Sequence, residues 1–328
     1  MKKIFIAAMA LAAVAACNKS EIVSVSEGNA IAFDNAFVDN ATKSVNDPSY
    51  TNDKMFTDFA VYGFVEGAEL FNGVRVSKDI TNTDLKKDWK YSGTQYWIAG
   101  AKYNFAAVAP MTKGGWKDAV ANKDGVTFTF TNDGSTDLLY AQTPEIEGKI
   151  SGNTAVEFTF RHILSKVKFS FENAYNATNA TIRVKDITVT NAHATGKVAL
   201  NSSATAWTDQ AETLSLAFGN AAVASASAEE PYAFNTTVES YNELLLIPGA
   251  VTGGYNVTFT VDLLVSNTLV KSYEHTATVD FAPVAGTCYD IKAVINAENI
   301  DPNHAQEPIE FTVSTLPGWG DATEVEAK

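Results

Sequence analysis

Apolar residues recur at every second position through most of the chain. Val126-Thr127-Phe128-Thr129-Phe130 alternates strictly, and the turn-forming runs Asn122-Lys123-Asp124-Gly125 and Asn132-Asp133-Gly134 close it at both ends. Tyr255, Val257, Phe259, Val261, Leu263 and Val265 share one face opposite Thr258, Thr260 and Asp262. Ser266-Asn267 turns that strand, and residues 269–281 return as its partner. Val156, Phe158 and Phe160 are apolar at even positions, whereas Val167, Phe169 and Phe171 are apolar at odd ones. A strand keeps its period of two, so this change of phase predicts a bulge or corner near Ile163-Leu164. Ile182/Val184 and Ile187/Val189 repeat the flip around Lys185-Asp186.

Further strands are predicted at Ala30-Ile31-Ala32-Phe33, at residues 59–64, at 103–109 before Pro110, at Tyr289, Ile291, Ala293 and Ile295, and at Ile309-Glu310-Phe311-Thr312-Val313. Asn72-Gly73 reads as a hairpin turn, and Ser92-Gly93-Thr94 as another turn. No helical period is sustained after the first residues. Many short strands with turns between them predict an all-β chain of antiparallel β-sandwiches. A length of 328 residues suits two such domains, and the change of phase sets their boundary near residue 155, giving 30–155 and 156–328.

The first residues follow a different pattern. Lys2 and Lys3 precede an apolar run at 4–14, and Val14-Ala15-Ala16-Cys17 ends it with small residues and a cysteine. The run is shorter than the roughly 17–25 residues that span a bilayer, so 1–16 reads as a secretory signal peptide. Val-Ala-Ala-Cys resembles the lipobox of bacterial lipoproteins, which makes Cys17 the expected lipidation site. Two or three acyl chains on one residue hold a membrane far more firmly than one. Residues 17–29 are a polar tether, and residues 39–53, rich in Asn, Asp, Ser and Thr, read as an exposed loop containing Lys43.

Charge and side-chain chemistry narrow the function by exclusion. With 24 Lys and Arg against 38 Asp and Glu, the net charge of −14 repels phosphate backbones and argues against nucleic acid as a partner. Cys288 has no cysteine to pair with once Cys17 is acylated and reads as a small core residue. His162, His193, His275 and His304 are too scattered for a metal site, and His162 and His275 read as structural. No nucleophile elbow, phosphate loop or dinucleotide fingerprint is present, so the reading is not an enzyme and calls for no cofactor. Asn132-Asp133-Gly134-Ser135-Thr136-Asp137 is dense in oxygen ligands, yet it lacks a bidentate glutamate and reads as a turn. Trp89 and Trp97 read as core; Trp116, beside Lys113-Gly114-Gly115, is expected to be an exposed ring in a loop.

Several segments together resemble the fimbrillin family of Bacteroidetes, lipoprotein precursors of type V pili and related surface adhesins. They are Phe59-Ala60-Val61-Tyr62-Gly63, Leu70-Phe71-Asn72-Gly73, Trp89-Lys90-Tyr91 with Gln95-Tyr96-Trp97, Tyr103-Asn104-Phe105 with Ala109-Pro110, Phe160-Arg161-His162-Ile163-Leu164-Ser165-Lys166-Val167, Leu244-Leu245-Leu246-Ile247-Pro248 and Pro283-Val284-Ala285-Gly286-Thr287-Cys288-Tyr289. The resemblance implies two transthyretin-like β-sandwich domains, no catalysis, and a place on the outer membrane or in a fimbrium. It also implies that a protease cuts after a basic residue in the N-terminal loop and releases the first strand. A neighbouring subunit's strand then fills the groove. Here the cut would follow Lys43, since the first arginine is Arg75. The departing strand would lie near 30–33, and the incoming one near Ile309, Phe311 and Val313. Left uncut, the chain would keep its lipid as a pilus anchor or a surface lipoprotein, one version holding a host glycan or protein through exposed aromatics such as Trp116.

Overall fold

The structure, a computed structural model, describes residues 29–38, 56–78, 89–222, 230–304 and 306–316. Among these there is no α-helix. The first half supplies β1 (Phe33–Val38), β2 (Asp58–Val65), β3 (Ala68–Lys78), β4 (Trp89–Lys90), β5 (Lys102–Ala109), β6 (Trp116–Asn122), β7 (Gly125–Thr131), β8 (Leu139–Gln142), β9 (Ile146–Glu147) and β10 (Val156–His162). The second half supplies β11 (Ser165–Asn173), β12 (Ala180–Leu200), β13 (Thr205–Ala222), β14 (Tyr232–Ala233), β15 (Thr237–Ser240), β16 (Leu244–Leu246), β17 (Tyr255–Val265), β18 (Thr268–Val279), β19 (Cys288–Ile295) and β20 (Phe311–Leu316).

The first sheet runs β1-β10-β8-β5-β2-β3-β4, with β9 beside β5. Its two ends meet: β1 touches β4, and Ala30 bridges Tyr96. The sheet therefore curls around a core of its own, built on Phe59, Phe71, Trp89, Trp97, Phe105, Phe158 and Phe160. The second sheet runs β18-β17-β12-β13-β15-β11-β19-β20. Phe171 of β11 and Phe311 of β20 meet Phe259 of β17, so the two ends of this sheet fold into facing layers. Apart from the parallel pairs β1–β10 and β11–β19, these ladders are antiparallel.

A third core joins the two sheets. Ala60, Tyr62 and Phe64 of β2 and Ala106 and Val108 of β5 turn away from the first core. They pack on Val126, Phe128 and Phe130 of β7, Val198 and Leu200 of β12, and Leu245 and Ile247. Burial on both faces is why β2 and β5 are apolar without alternation.

The sheets do not change over at residue 155. β10 completes the first sheet between β1 and β8, because Val156, Phe158 and Phe160 point into the first core. The chain crosses at Ile163-Leu164, where the phase changes, and both side chains are buried in the third core. The hairpin of β6 and β7 lies early in the chain but joins the second sheet, pairing Val126 to Leu200 and Thr131 to Thr195 of β12. The second flip of phase is a bulge: Asp186 has φ 57° and the register of β12 shifts between Val184 and Ile187. Asn72-Gly73, expected as a hairpin turn, lies inside β3. There the β2–β3 register shifts, and the turn itself is Glu66-Gly67, with φ of 49° and 78°.

Candidate functional site

Residues 29–38 lie as a strip between two walls of the first sheet. On one side β1 runs parallel to β10, with Phe33 opposite Val156, Asp34 opposite Glu157 and Val38 opposite Phe160, and a bulge between Asp34 and Phe37. The Val156 amide donates to the Ala32 carbonyl at 2.7 Å. On the other side the Ile31 amide donates to the Gln95 carbonyl at 2.8 Å, and the Trp97 amide to the Asn29 carbonyl at 3.0 Å. The Tyr91 hydroxyl adds a bond to the Ile31 carbonyl at 2.7 Å. Burial raises the pKa of this phenol, although it also accepts the Gln95 amide at 3.1 Å, so it stays a donor at neutral pH.

Ile31, Phe33 and Ala36 of the strip lie in the first core, 1%, 3% and 2% exposed. The Phe33 ring stacks on Phe158 and meets Phe59, Phe71, Tyr91 and Phe105 edge-on, with centroids 5.4–6.3 Å away. Removing the strip would uncover those rings and leave backbone groups of β10 and of residues 95–97 without partners. An edge in that state is a template for another strand.

At the other end of the chain, β20 pairs antiparallel with β19, from Ala293 opposite Phe311 to Cys288 opposite Leu316. Ile309, Phe311 and Val313 are half-buried against the second core. Phe311 meets Phe169, Phe171 and Phe259 edge-on at 5.8, 6.1 and 5.9 Å. This expected donor strand is thus seated in its own domain.

Cys17, Lys43 and the loop that holds Lys43 lie outside the described residues. Cys288 is buried, and burial pushes its thiol up to about 11, which leaves it protonated and unreactive. His275 is buried with its ring stacked on Phe259 and Nε2 3.1 Å from the Ile300 carbonyl. His162 is buried with Nδ1 2.8 Å from Asp137. Asp133 binds the Ser135 and Thr136 amides and the Thr136 hydroxyl, which closes that segment as a turn. Trp89 and Trp97 are core residues. Trp116 is not a loop residue: it opens β6, its Nε1 donates to the Pro110 carbonyl at 2.9 Å, and its ring lies 5.5 Å from Phe128. It is partly buried against the third core, where the β6–β7 hairpin packs on residues of β2 and β5.

Sequence reasoning missed the second wall of the slot. In the sequence Tyr91 and Trp97 read as residues flanking the Ser92-Gly93-Thr94 turn, and the wall they form with Gln95 is made by backbone bonds and one hydroxyl, which leave no periodic pattern.

A profile of the fimbrillin-like family matches residues 42–315. The chain belongs to the fimbrillin-like family. The matched region of this fimbrillin-like chain begins beyond β1 and ends just short of the end of β20. No curated protein matches it by sequence. Among solved structures it is similar to a candidate cell adhesion protein from Bacteroides uniformis, at 14% identity over 88% of this chain and 97% of that one, with a TM-score of 0.45. A candidate cell adhesion protein from Parabacteroides distasonis is similar at 10% identity over 90% and 99%, with a TM-score of 0.46. A fimbrial assembly protein from the same species is similar at 11% identity over 87% and 96%, with a TM-score of 0.45.

Proposed function

We propose that this chain is a pilus subunit of a bacterial cell surface, exported as a lipoprotein through Cys17 and assembled by exchange of edge strands. Membership of the fimbrillin-like family supports a role as pilus subunit or adhesin. A protease cutting after Lys43 separates residues 29–38 from β2, so the strip is then held by its slot alone. The slot it leaves accepts an edge strand from the C-terminal end of another subunit, carrying Ile309, Phe311 and Val313. The observation that carries this reading is the seat of Phe33: a terminal strip plugs the core of a domain whose other strands are continuous with one another. Work done by a backbone edge and an apolar slot needs no reactive side chain.

Incubating the lipidated precursor with a trypsin-like protease should yield a ladder of SDS-resistant oligomers, and Lys43→Ala should abolish it. A trimmed monomer from the unaltered protein would sink the proposal. A second reading, an uncut surface lipoprotein or pilus anchor, is favoured by the seating of β20 in its own domain. N-terminal sequencing of the protein from cells separates the two: Ser44 at the terminus supports the subunit, and acylated Cys17 supports the anchor.

A further inference from the structure

We propose that the face formed by Tyr96, Ile98 and Ile150 docks on the lipid bilayer that holds the acyl chains of Cys17, so that the anchored precursor stands on this end of its first sheet. This rests on the lipoprotein reading above and adds the orientation of the domain and the residues that set it.

Ile150 is 83% exposed, more than any other large hydrophobic among the described residues; Ile98 is 61% and Tyr96 42% exposed. Single apolar residues on a surface are ordinary, and several brought together mark a contact. Backbone bonds bring these together. The Gly100 amide donates to the Gly148 carbonyl at 2.7 Å, the Gly148 amide to the Ala101 carbonyl at 2.8 Å, and the Ile98 amide to the Tyr103 hydroxyl at 2.7 Å. Gly148 has no room for a side chain, because the Ile98 carbonyl takes the space. The loops are therefore fixed against each other by their backbones, and the isoleucine side chains are left as apolar area for a partner to cover.

The anchor leads to the same place. Asn29 donates from its side chain to the Trp97 carbonyl at 3.0 Å and accepts from the Asn153 side chain at 2.6 Å. Asn153 in turn closes the Ile150 loop through the amide and carbonyl of Lys149, both at 2.8 Å. Asn29 stands twelve residues after Cys17, a reach of at most roughly 40 Å. A face tethered so closely meets the bilayer at high effective concentration, so a small apolar patch suffices to orient the domain. The nearby charges are of both signs: Lys102 binds Glu145 at 2.9 Å, and Glu147 and Lys149 flank Gly148. The contact is thus apolar, with the Tyr96 ring at the headgroup level that amphipathic aromatics favour, and it is insensitive to salt. From this end β1 runs beside β10 toward the crossing at Ile163-Leu164, so the chain sets out for Lys43 from the end of the strip away from the bilayer, where a protease has access.

The test uses the full chain, purified from cells in detergent and reconstituted in vesicles of phosphatidylcholine and phosphatidylethanolamine that carry a spin-labelled lipid. A fluorophore is attached at Ser151→Cys, beside Ile150, or, as a control, at Val270→Cys, 60% exposed on β18 of the second sheet. Cys288 is buried and does not compete for the label. The lipid should quench the label at residue 151 at least about threefold more than the one at residue 270, equally at low and high salt. Ile98→Ser with Ile150→Ser, both at exposed positions that the fold does not need, should bring residue 151 down to the control level. Equal quenching at the two positions, or quenching that survives the double substitution, overturns the docking face and leaves the lipid anchor standing. Self-quenching between labelled chains in place of quenching by lipid gives the face to a second copy and overturns the bilayer as its occupant. A mass spectrum with no acyl chain on Cys17 overturns the lipoprotein reading and this inference with it.

Discussion

Phe33 and Phe158 lie face to face across the parallel pair of β1 and β10, with ring centroids 5.9 Å apart and planes 15° from parallel. Rings from β2, β3, β5 and the Tyr91 turn complete the enclosure. One side chain thus ties the strip to most of the first sheet. Phe33→Ala should cost about 3–5 kcal/mol, the range for deleting a buried aromatic ring. Urea unfolding followed by the fluorescence of buried Trp89 and Trp97 measures it, and limited proteolysis should cut the strip sooner. An unmoved midpoint would mean that the seat of Phe33 contributes little.

Gly63 holds two walls of that seat apart. A Cβ on it would lie 2.6 Å from Cδ2 of Phe71 and 3.0 Å from Cδ1 of Phe105. Both rings touch Phe33, so Gly63→Ala pushes on the socket from behind. Overpacking of this kind costs about 1–3 kcal/mol. The variant should unfold at lower urea and, after nicking, bind a peptide of residues 29–38 more weakly than the unaltered chain. Unchanged affinity would place the strain elsewhere.

Where one face of a strand is buried and the other solvated, the pattern was legible. β7, β10, β11 and β17 all stand where their alternation puts them, and the corner at Ile163-Leu164 and the bulge at Asp186 follow from their changes of phase. β13 escaped notice because its apolar positions keep no single period: its ladder with β12 slips more than once, and Asp209 and Gly219 take positive φ. The third core was not legible at all. Nothing local to Phe128 or Val198 says that the facing surface belongs to β2 and β5, more than sixty residues earlier in the case of β2. The slot was half legible: alternation found Ile31 and Phe33, but its second wall is a turn held by hydrogen bonds at Gln95 and Trp97, which carry no periodic signal.

Trp116 illustrates the same limit and gives a prediction. Its ring packs on Phe128 and its indole N–H is bonded to Pro110, so little of it is free to stack on a sugar. Trp116→Ala should lower stability by less than the roughly 3–5 kcal/mol of a fully buried tryptophan. Retention on a polysaccharide column should not change. A loss of retention with stability intact would restore the glycan-binding reading.

Two aspartates should give opposite dependences of stability on pH. Asp58 is buried, which by itself would raise its pKa. The Thr112 hydroxyl and amide and the Arg75 guanidinium outweigh that and hold it below the usual carboxylate value. Asp290 is half-buried, keeps one bond from the Ser170 hydroxyl and has Oδ1 buried without a partner, so burial wins and its pKa is raised. A depressed folded pKa gives stability that is present above the unfolded value, about 3.9, and is lost as pH falls through the folded value. Asp58→Asn should therefore weaken the protein most near neutrality, with the deficit closing in acid. A raised folded pKa works the other way: the unfolded carboxyl ionises first as pH rises, so ionised Asp290 opposes folding above its folded value. Asp290→Asn, which stands in for the protonated acid and can keep the Ser170 bond, should stabilise the protein near neutrality and change little below about pH 4. Urea unfolding from about pH 3 to pH 7 reads both variants, since carboxylates titrate across that span. If the two curves shift in the same direction at neutral pH, the contrast between a fully bonded carboxylate and a half-bonded one is not what sets their energies.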